Sequence, residues 1–292
     1  MKNYYLGIDC GGTNIRIGLV DEQNKIFHQE KHNAQKIGSN LSGLIERYVL
    51  QYKDSYPIKA IGIGFPGLVN LDTKEVLHVP NLKAFEGSYL NALEKQLNIP
   101  IYIGNDVNLL MLYDAMHFGI DPNKSVMGFY LGTGLGSAIR IKQWMYQGDF
   151  GAAGEIGHVP VYLRGLKHGE RQVDLESEVS GFNLKNIHQK HFLNDPFETM
   201  LVDHFDSQAI QDYLNLLAVY IATQITILDI STIILGGGVI MSEQFPKKYL
   251  ESLILKNLFA KKTKENFKVY YAESSQNSGI LGAAIFAKQH KG

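Results

Sequence analysis

The sequence predicts an α/β protein of about two domains, and three observations lead there. Its 292 residues exceed one typical domain of roughly 150. Apolar, β-rich runs alternate with segments of helical period, the pattern of α/β folds. Its 29 glycines, above the usual ~7%, cluster directly after predicted strands.

The elements follow in order. Residues 4–9 form an apolar strand, Ile15–Val20 a second, and Lys25–Glu30 a third, giving an antiparallel hairpin or meander. Apolar residues at 41, 44, 45, 48, 49 and 52 predict a helix over Leu41–Lys53, with Ser39 or Asn40 able to cap its start. Ala60–Phe65 is a buried strand, Tyr89–Leu97 a helix, Ile101–Ile103 a strand, and Val107–Phe118 a helix opening directly after Asn105 and Asp106. A second cycle starts at Val126–Leu131, where Ile139-Arg140-Ile141 answers Ile15-Arg16-Ile17 at an offset of 124 residues and suggests an internal duplication. Gly148 to Asn183 is glycine-rich, charged and without period, as expected of a long functional loop. Trp144, Met145 and Tyr146 are expected to pack in a hairpin. Helices over 184–193 and 209–228, a strand over Thr232–Leu235, a helix over 246–260, a strand over Lys268–Ala272 and a helix over Ile280–Gln289 complete the chain. The boundary is expected at 118–124, giving domains 1–120 and 121–279.

Composition narrows the function. The formal net charge of −1 and pI near 6.8 give no electrostatic reason to expect nucleic acid or an anionic membrane as partner. A single cysteine, Cys10, excludes an internal disulfide framework and a cysteine-built zinc site, and points to a reducing, cytoplasmic setting. An acidic residue, Asp9, arrives too early for a signal peptide, and Leu216–Leu228 is too short and too interrupted by Thr223, Gln224 and Thr226 to span a bilayer.

Three glycine clusters follow hydrophobic strands: Gly11-Gly12-Thr13, Gly132-Thr133-Gly134-Leu135-Gly136 and Gly236-Gly237-Gly238. Glycine there lets backbone N–H groups converge on an anion, and Thr13 and Thr133 add hydroxyl donors. Any one cluster serves equally well as a tight turn, but three on matching strand ends favour a nucleotide. No Walker sequence is present. Gly62-Ile63-Gly64-Phe65-Pro66-Gly67 mimics a dinucleotide motif, yet Pro66 and the extended residues after it do not open the helix which that motif requires. Asn105-Asp106 lies where a strand ends and a helix begins, the ligand-facing position of an open α/β sheet, although either residue would serve there as a helix cap. Glu155, His158 and Glu176 fall in the long loop region. His168, His188 and His191 carry no metal assignment, because i, i+3 histidines need further ligands.

Taken together, Asp9-Cys10-Gly11-Gly12-Thr13, Asn105-Asp106, Gly132–Gly136, Glu155-Ile156-Gly157-His158 and Gly236–Gly238 resemble the bacterial ROK family of sugar kinases and repressors, in order and spacing along nearly the whole chain. The resemblance implies an actin-like, hexokinase-type fold: two duplicated α/β domains flanking a cleft, with the last helix, about 280–292, returning to the first domain. It implies an ATP-dependent hexose kinase in which Asp106 is the general base that deprotonates the sugar 6-hydroxyl. Asn81, Asn105, Glu155, His158 and Glu176 would hydrogen-bond the other ring hydroxyls. Gly11, Gly12 and Thr13, with Gly132, Thr133, Gly134 and Gly136, would hold the phosphates, and Gly236, Gly237 and Gly238 would approach the adenosine. Asp9 would bind Mg²⁺, directly or through water. Many members carry a zinc site of three cysteines joined by the histidine matching His158. The corresponding run here, Leu166–Glu176, has no cysteine, so zinc is not expected, though Leu175-Glu176 still matches the end of that run. Flanking residues such as Val79-Pro80-Asn81-Leu82 and Asn105–Leu109 are most similar to D-allose kinases; glucokinase, fructokinase and N-acetylmannosamine kinase are the alternatives. A further alternative is a sugar-responsive regulator, although repressors of the family carry a DNA-binding segment ahead of the first glycine motif and none is expected before Asp9. A homodimer is expected.

Overall fold

The computed structural model describes residues 2–80, 82–161, 173–273 and 277–291. The chain separates into two compact units, one of Met1–Gly119, Gln147–Ala153 and Ser275–Gly292, the other of Ile120–Tyr146 and Gly154–Ser274. Each has its own hydrophobic core.

In the first unit the expected meander forms from β1 (Tyr4–Cys10), β2 (Asn14–Asp21) and β3 (Ile26–Asn33), all antiparallel. A short helix α1 (Ala34–Ile37) and a 3-10 turn, Gly38–Asn40, lead into α2 (Leu41–Tyr52). Asn40 makes no side-chain cap bond, because that turn runs straight into the helix. Next come β4 (Ile58–Phe65), a hairpin of β5 (Leu68–Asn70) and β6 (Glu75–His78), α3 (Leu90–Leu97), β7 (Ile101–Asn105) and α4 (Asp106–His117). The residues after Pro66 enter a hairpin and not a helix, so the dinucleotide-like glycines are a decoy. The five-stranded sheet has the order β3-β2-β1-β4-β7, with β4 parallel to both β1 and β7.

The second unit repeats this plan. It contains β8 (Val126–Leu131), β9 (Leu135–Ile141), β10 (Trp144–Tyr146), a two-stranded pair of β11 (Pro160–Val161) and β12 (Val173–Asp174), α5 (Leu175–Val179), α6 (Gly181–His191), α7 (Met200–Asp203), α8 (Gln208–Leu228), β13 (Thr232–Gly236), α9 (Gly237–Ile240), α10 (Lys247–Asn257), α11 (Lys261–Glu265) and β14 (Lys268–Tyr271). The sheet order, β10-β9-β8-β13-β14, with β13 parallel to β8 and β14, mirrors that of the first. The duplication is therefore real in topology, but the Ile-Arg-Ile echo is out of register. Arg140 pairs with Val126 at the base of its hairpin, the place held in the first unit by Val20 opposite Tyr5, whereas Arg16 faces Asp9 next to the turn.

Two expectations change. Among the described residues of 148–183, the expected aperiodic loop contains β11, β12, α5 and the start of α6, and elements of two to five residues are too brief to show a period. Trp144 and Tyr146 do not pack: they lie on the edge strand β10, 70% and 49% exposed. The long helix α8 buries Leu214, Leu217, Ala218, Ile221 and Ile225 at helical spacing, and no helix among the described residues is long and apolar enough to cross a membrane.

The last helix, α12 (Ser278–Lys291), lies on the first sheet. Gly7 of β1 and Gly62 of β4 are register partners, and a Cβ on either would overlap a carbonyl oxygen of the helix, that of Ile280 or Ala283. Glycine at these two sites is what lets the helix backbone approach the sheet.

Candidate active site

In the first unit the candidate residues gather at the C-terminal ends of parallel strands, where open α/β sheets bind ligands. Asp9, near the end of β1, is the register partner of Gly64 on β4, and Phe65 is that of Asn105 on β7. Asn105 caps α4. Its Oδ1 accepts from Val107 N–H at 3.0 Å and Asn108 N–H at 3.1 Å, and its Nδ2 donates to the Gly67 carbonyl at 3.1 Å. Both readings of that pair thus bear on one place, because the cap fixes the residue after it, Asp106, as the first helical residue of α4. Asp106 Oδ1 accepts from Val107 N–H at 2.8 Å, and an acidic group in a first helical turn is favoured by the helix dipole.

Asp9 pairs with Arg16 at 3.3 Å. Burial pushes the Asp9 carboxyl above its usual value, and the Arg16 guanidinium opposes that shift. Sequence reasoning missed Arg16 in this role, although the register of the meander, with a four-residue turn between Cys10 and Ile15, carries the signal. Cys10, fully buried, has its thiol pushed well up, first by burial and then by the negative charges of Asp9 and Asp106. Both carboxylates therefore act on one thiol. Gly279, in the first turn of α12, also abuts Asp9: an added Cβ would stand 2.5 Å from its Cγ. The turn after β1 is closed by Gly11 N–H donating to the Asn14 carbonyl at 2.9 Å, and Gly12 faces open space. Asn81 lies outside the described residues, as do His168 and the run 166–172.

In the second unit the turn Gly132–Gly134 joins β8 to β9, while Gly136 lies within β9 opposite Tyr130 and so belongs to the strand, not the turn. Gly132 N–H donates to the Gly134 carbonyl at 2.9 Å. The first N–H groups of α6 hold the turn's carbonyls, Gly181 to Gly132 at 2.9 Å and Phe182 to Thr133 at 3.1 Å. Glu176, in the first turn of α5, accepts from Leu135 N–H through Oε2 at 2.8 Å. The third glycine cluster lies alongside, since a Cβ on Gly237 would overlap the Leu131 backbone and one on Gly181 would stand 2.8 Å from Val239.

The glycines divide by their surroundings. Gly236 is crowded by the Tyr130 ring, Gly237 has φ +87° against Leu131, and Gly134 is covered by Glu176. Gly12, Gly132 and Gly238, one in each cluster, have nothing within 4 Å of a built Cβ. At these three positions the space beside the backbone is open.

Glu155, His158 and Glu176 are brought together around a 3-10 turn, Ile156–His158. Burial raises the Glu155 carboxyl, with His158 lowering it and Glu176 raising it further. A Cβ on Gly157 would stand 3.4 Å from Glu176 Cβ. His158 is 64% exposed and lies 3.9 Å from Asp174 Oδ2. His158, Glu176, Thr133 and Gly134 line one cavity of about 360 Å³ with Asp174 and Ser180. Ser180, also unforeseen, caps α6 by accepting from Asn183 N–H at 3.2 Å; a serine before a glycine at a helix start is the signal for it. A larger groove of about 770 Å³ between α6 and α8, lined by Asn183, Lys190 and Tyr213 among others, shares no residue with the expected sites.

Comparison with known proteins identifies the family and the fold. The model of the ROK family matches residues 5–290. N-acetyl-D-glucosamine kinase of Vibrio cholerae is 26% identical over 313 positions, covering 96% of this chain and 98% of its own. The solved structure of a ROK family glucokinase from Streptomyces griseus, in complex with glucose and AMPPNP, is 25% identical with a TM-score of 0.74, covering 98% of this chain and 100% of that one. A ROK family transcriptional regulator, described as a homolog of the E. coli MLC protein, shares the fold at a TM-score of 0.82 and 20% identity, with 99% of this chain and 78% of that chain covered. The match to the family model spans nearly the entire sequence, and the chain belongs to the ROK family, with its actin-like, hexokinase-type fold of two α/β domains.

Proposed function

We propose that the protein is an ATP-dependent hexose kinase that phosphorylates the 6-hydroxyl of its sugar. The observation that carries this reading is Asp106, placed at the start of α4 by the buried Asn105 cap, in the same neighbourhood as Asp9. Asp106 takes the proton as the 6-oxygen attacks the γ-phosphorus; the bond from that phosphorus to the bridging oxygen breaks and ADP leaves. Glu155, His158 and Glu176 accept or donate hydrogen bonds to the other ring hydroxyls, and Asn81 and the second N–H of Asn105 Nδ2 add to them. Backbone N–H groups around the open Gly12 and Gly132 receive the phosphates, and Gly238 admits the nucleoside. Such donors are already oriented before the charge moves, which is the main resource in phosphoryl transfer.

Mg²⁺ takes one or two carboxylates, with phosphate oxygens and waters completing its shell. Asp9, whose Oδ2 meets Arg16 beside the open Gly12 turn, fits that donor set. When bound, the ion neutralises charge on the transferring phosphates.

Two of the relatives named above are an N-acetyl-D-glucosamine kinase and a glucokinase, and they lend no support to D-allose, which the flanking residues favour. The test is ADP release from Mg·ATP with allose, glucose, mannose, fructose, N-acetylmannosamine, N-acetylglucosamine and cellobiose, run beside Asp106→Asn. One preferred sugar is expected, with the variant slower by about 10²- to 10⁴-fold. Turnover by Asp106→Asn at the wild-type rate would remove Asp106 from its role. Thermal stabilisation by a sugar without any ADP release would make the protein a sugar-responsive regulator.

A further inference from the structure

Glu176 is assigned above to the hexose, yet its carboxylate is already engaged with the nucleotide side of the second unit. Oε2 holds Leu135 N–H at 2.8 Å, at the residue where the Gly132–Gly134 turn enters β9. The carboxylate covers Gly134 so closely that an added Cβ would overlap Oε2 and stand 2.9 Å from Cδ. The opposite side of the turn is held by Gly181 and Phe182 of α6. The turn is therefore fixed by a helix N-terminus on its carbonyls and by one carboxylate on an N–H. Residues of the turn, Thr133 and Gly134, share their cavity with His158 and Glu176.

We propose that Glu176 is a positioning residue for the nucleotide: its carboxylate holds the phosphate-binding turn in its working shape and ties that turn to the hexose pocket. This inference rests on the kinase reading above. Oε2 serves the turn while Oε1 is left for a sugar hydroxyl. A hexose that immobilises the carboxylate then preforms the turn, so hexose and nucleotide each raise the affinity for the other by the same factor.

Two effects of the carboxylate have opposite signs. Its negative charge repels a triphosphate, whereas its hydrogen bond orders the turn that binds one. A charge-assisted bond of this kind shifts an equilibrium by roughly 10- to 100-fold when lost. Substitutions separate the two effects, because glutamine keeps an acceptor oxygen for Leu135 N–H without the charge, and alanine keeps neither.

The experiment is calorimetric titration of Mg·AMPPNP into the full-length protein, with and without the preferred hexose, for wild type, Glu176→Gln and Glu176→Ala. Expected is an affinity for Glu176→Gln within about threefold of wild type or tighter, and one for Glu176→Ala weaker by about tenfold or more. The gain on adding hexose should be lost in Glu176→Ala. If both variants bind AMPPNP more tightly, the carboxylate acts by charge alone and the proposal falls. It falls equally if neither changes and only the hexose KM rises. Should Glu176→Ala not fold, Glu176→Asp keeps the charge but withdraws the carboxylate by one methylene, and it must show the same weakening. The titration needs no turnover, so a wild type that binds AMPPNP but phosphorylates no hexose defeats the kinase reading while the tether is still decided.

Discussion

Replacing Asn105 with alanine separates scaffold from substrate contact at the centre of the first unit. The side chain is 8% exposed, so water replaces little of what is removed. Of its two cap bonds, the one to Val107 N–H is partly backed by Asp106 Oδ1 at 2.8 Å, and the net loss falls on Asn108 N–H and on the Gly67 carbonyl. Loss of an N-cap costs about 1 kcal/mol and a partly buried carbonyl left without its donor about 1 kcal/mol, the low end for such groups, so the total is roughly 2 kcal/mol. At about 2–4 °C per kcal/mol this lowers Tm by roughly 4–8 °C. With the cap gone, the helix end draws the Asp106 carboxylate onto its own free N–H groups, and a base misplaced by about 1 Å costs on the order of 100-fold in kcat. Asn105→Asp should recover the cap but not the Gly67 bond, and fall between. Thermal and urea unfolding, with steady-state kinetics, measure all three proteins. A stability change below about 0.5 kcal/mol in Asn105→Ala, together with a raised hexose KM alone, would show that Asn105 is only a sugar ligand and refute this account of how Asp106 is positioned.

Four further outcomes are expected. Gly62→Ala should destabilise by about 3 kcal/mol, at the upper end for overpacking, because its Cβ would overlap the Ala283 carbonyl oxygen and stand 2.6 Å from its carbon; Gly12→Ala, with nothing within 4 Å, should leave urea unfolding unchanged and weaken AMPPNP binding. Cys10, buried and with its thiol pushed well up, should resist Ellman's reagent in the native protein and react fully once unfolded; rapid native labelling would contradict that burial. Burial raises the Glu155 carboxyl in the folded state, so its contribution to stability is fully present below its ordinary range and lost as pH rises through the raised value. Glu155→Gln should therefore be more stable than wild type at pH 7, with the difference vanishing as pH falls below the ordinary carboxylate range; a constant difference across that interval would show that titration is not its source.

Strand and helix order was legible because long elements carry their own periods: the meander, α2, α4, α8 and α12 all lie within a few residues of where the hydrophobic pattern puts them. The family, too, could be recognised from sequence, since turn glycines and the Asn-Asp pair are local signatures with fixed spacing. Short elements such as α5 were lost in the stretch 148–183, as five residues hold barely more than one helical turn. Trp144 was misplaced because apolarity does not say whether an edge strand will be covered.

By itself, then, the sequence determined the α/β alternation, the family and the residue types able to hold a sugar and phosphates, all of which depend on neighbours along the chain. Only the tertiary structure decided which glycine of each cluster is open, that Arg16 meets Asp9, and that Glu176 reaches the turn 41 residues before it. Those facts depend on register between strands and on helices packed from distant parts of the chain. A linear pattern holds no record of either, because the energy that selects them comes from burial and hydrogen bonding between segments that meet only when the chain folds.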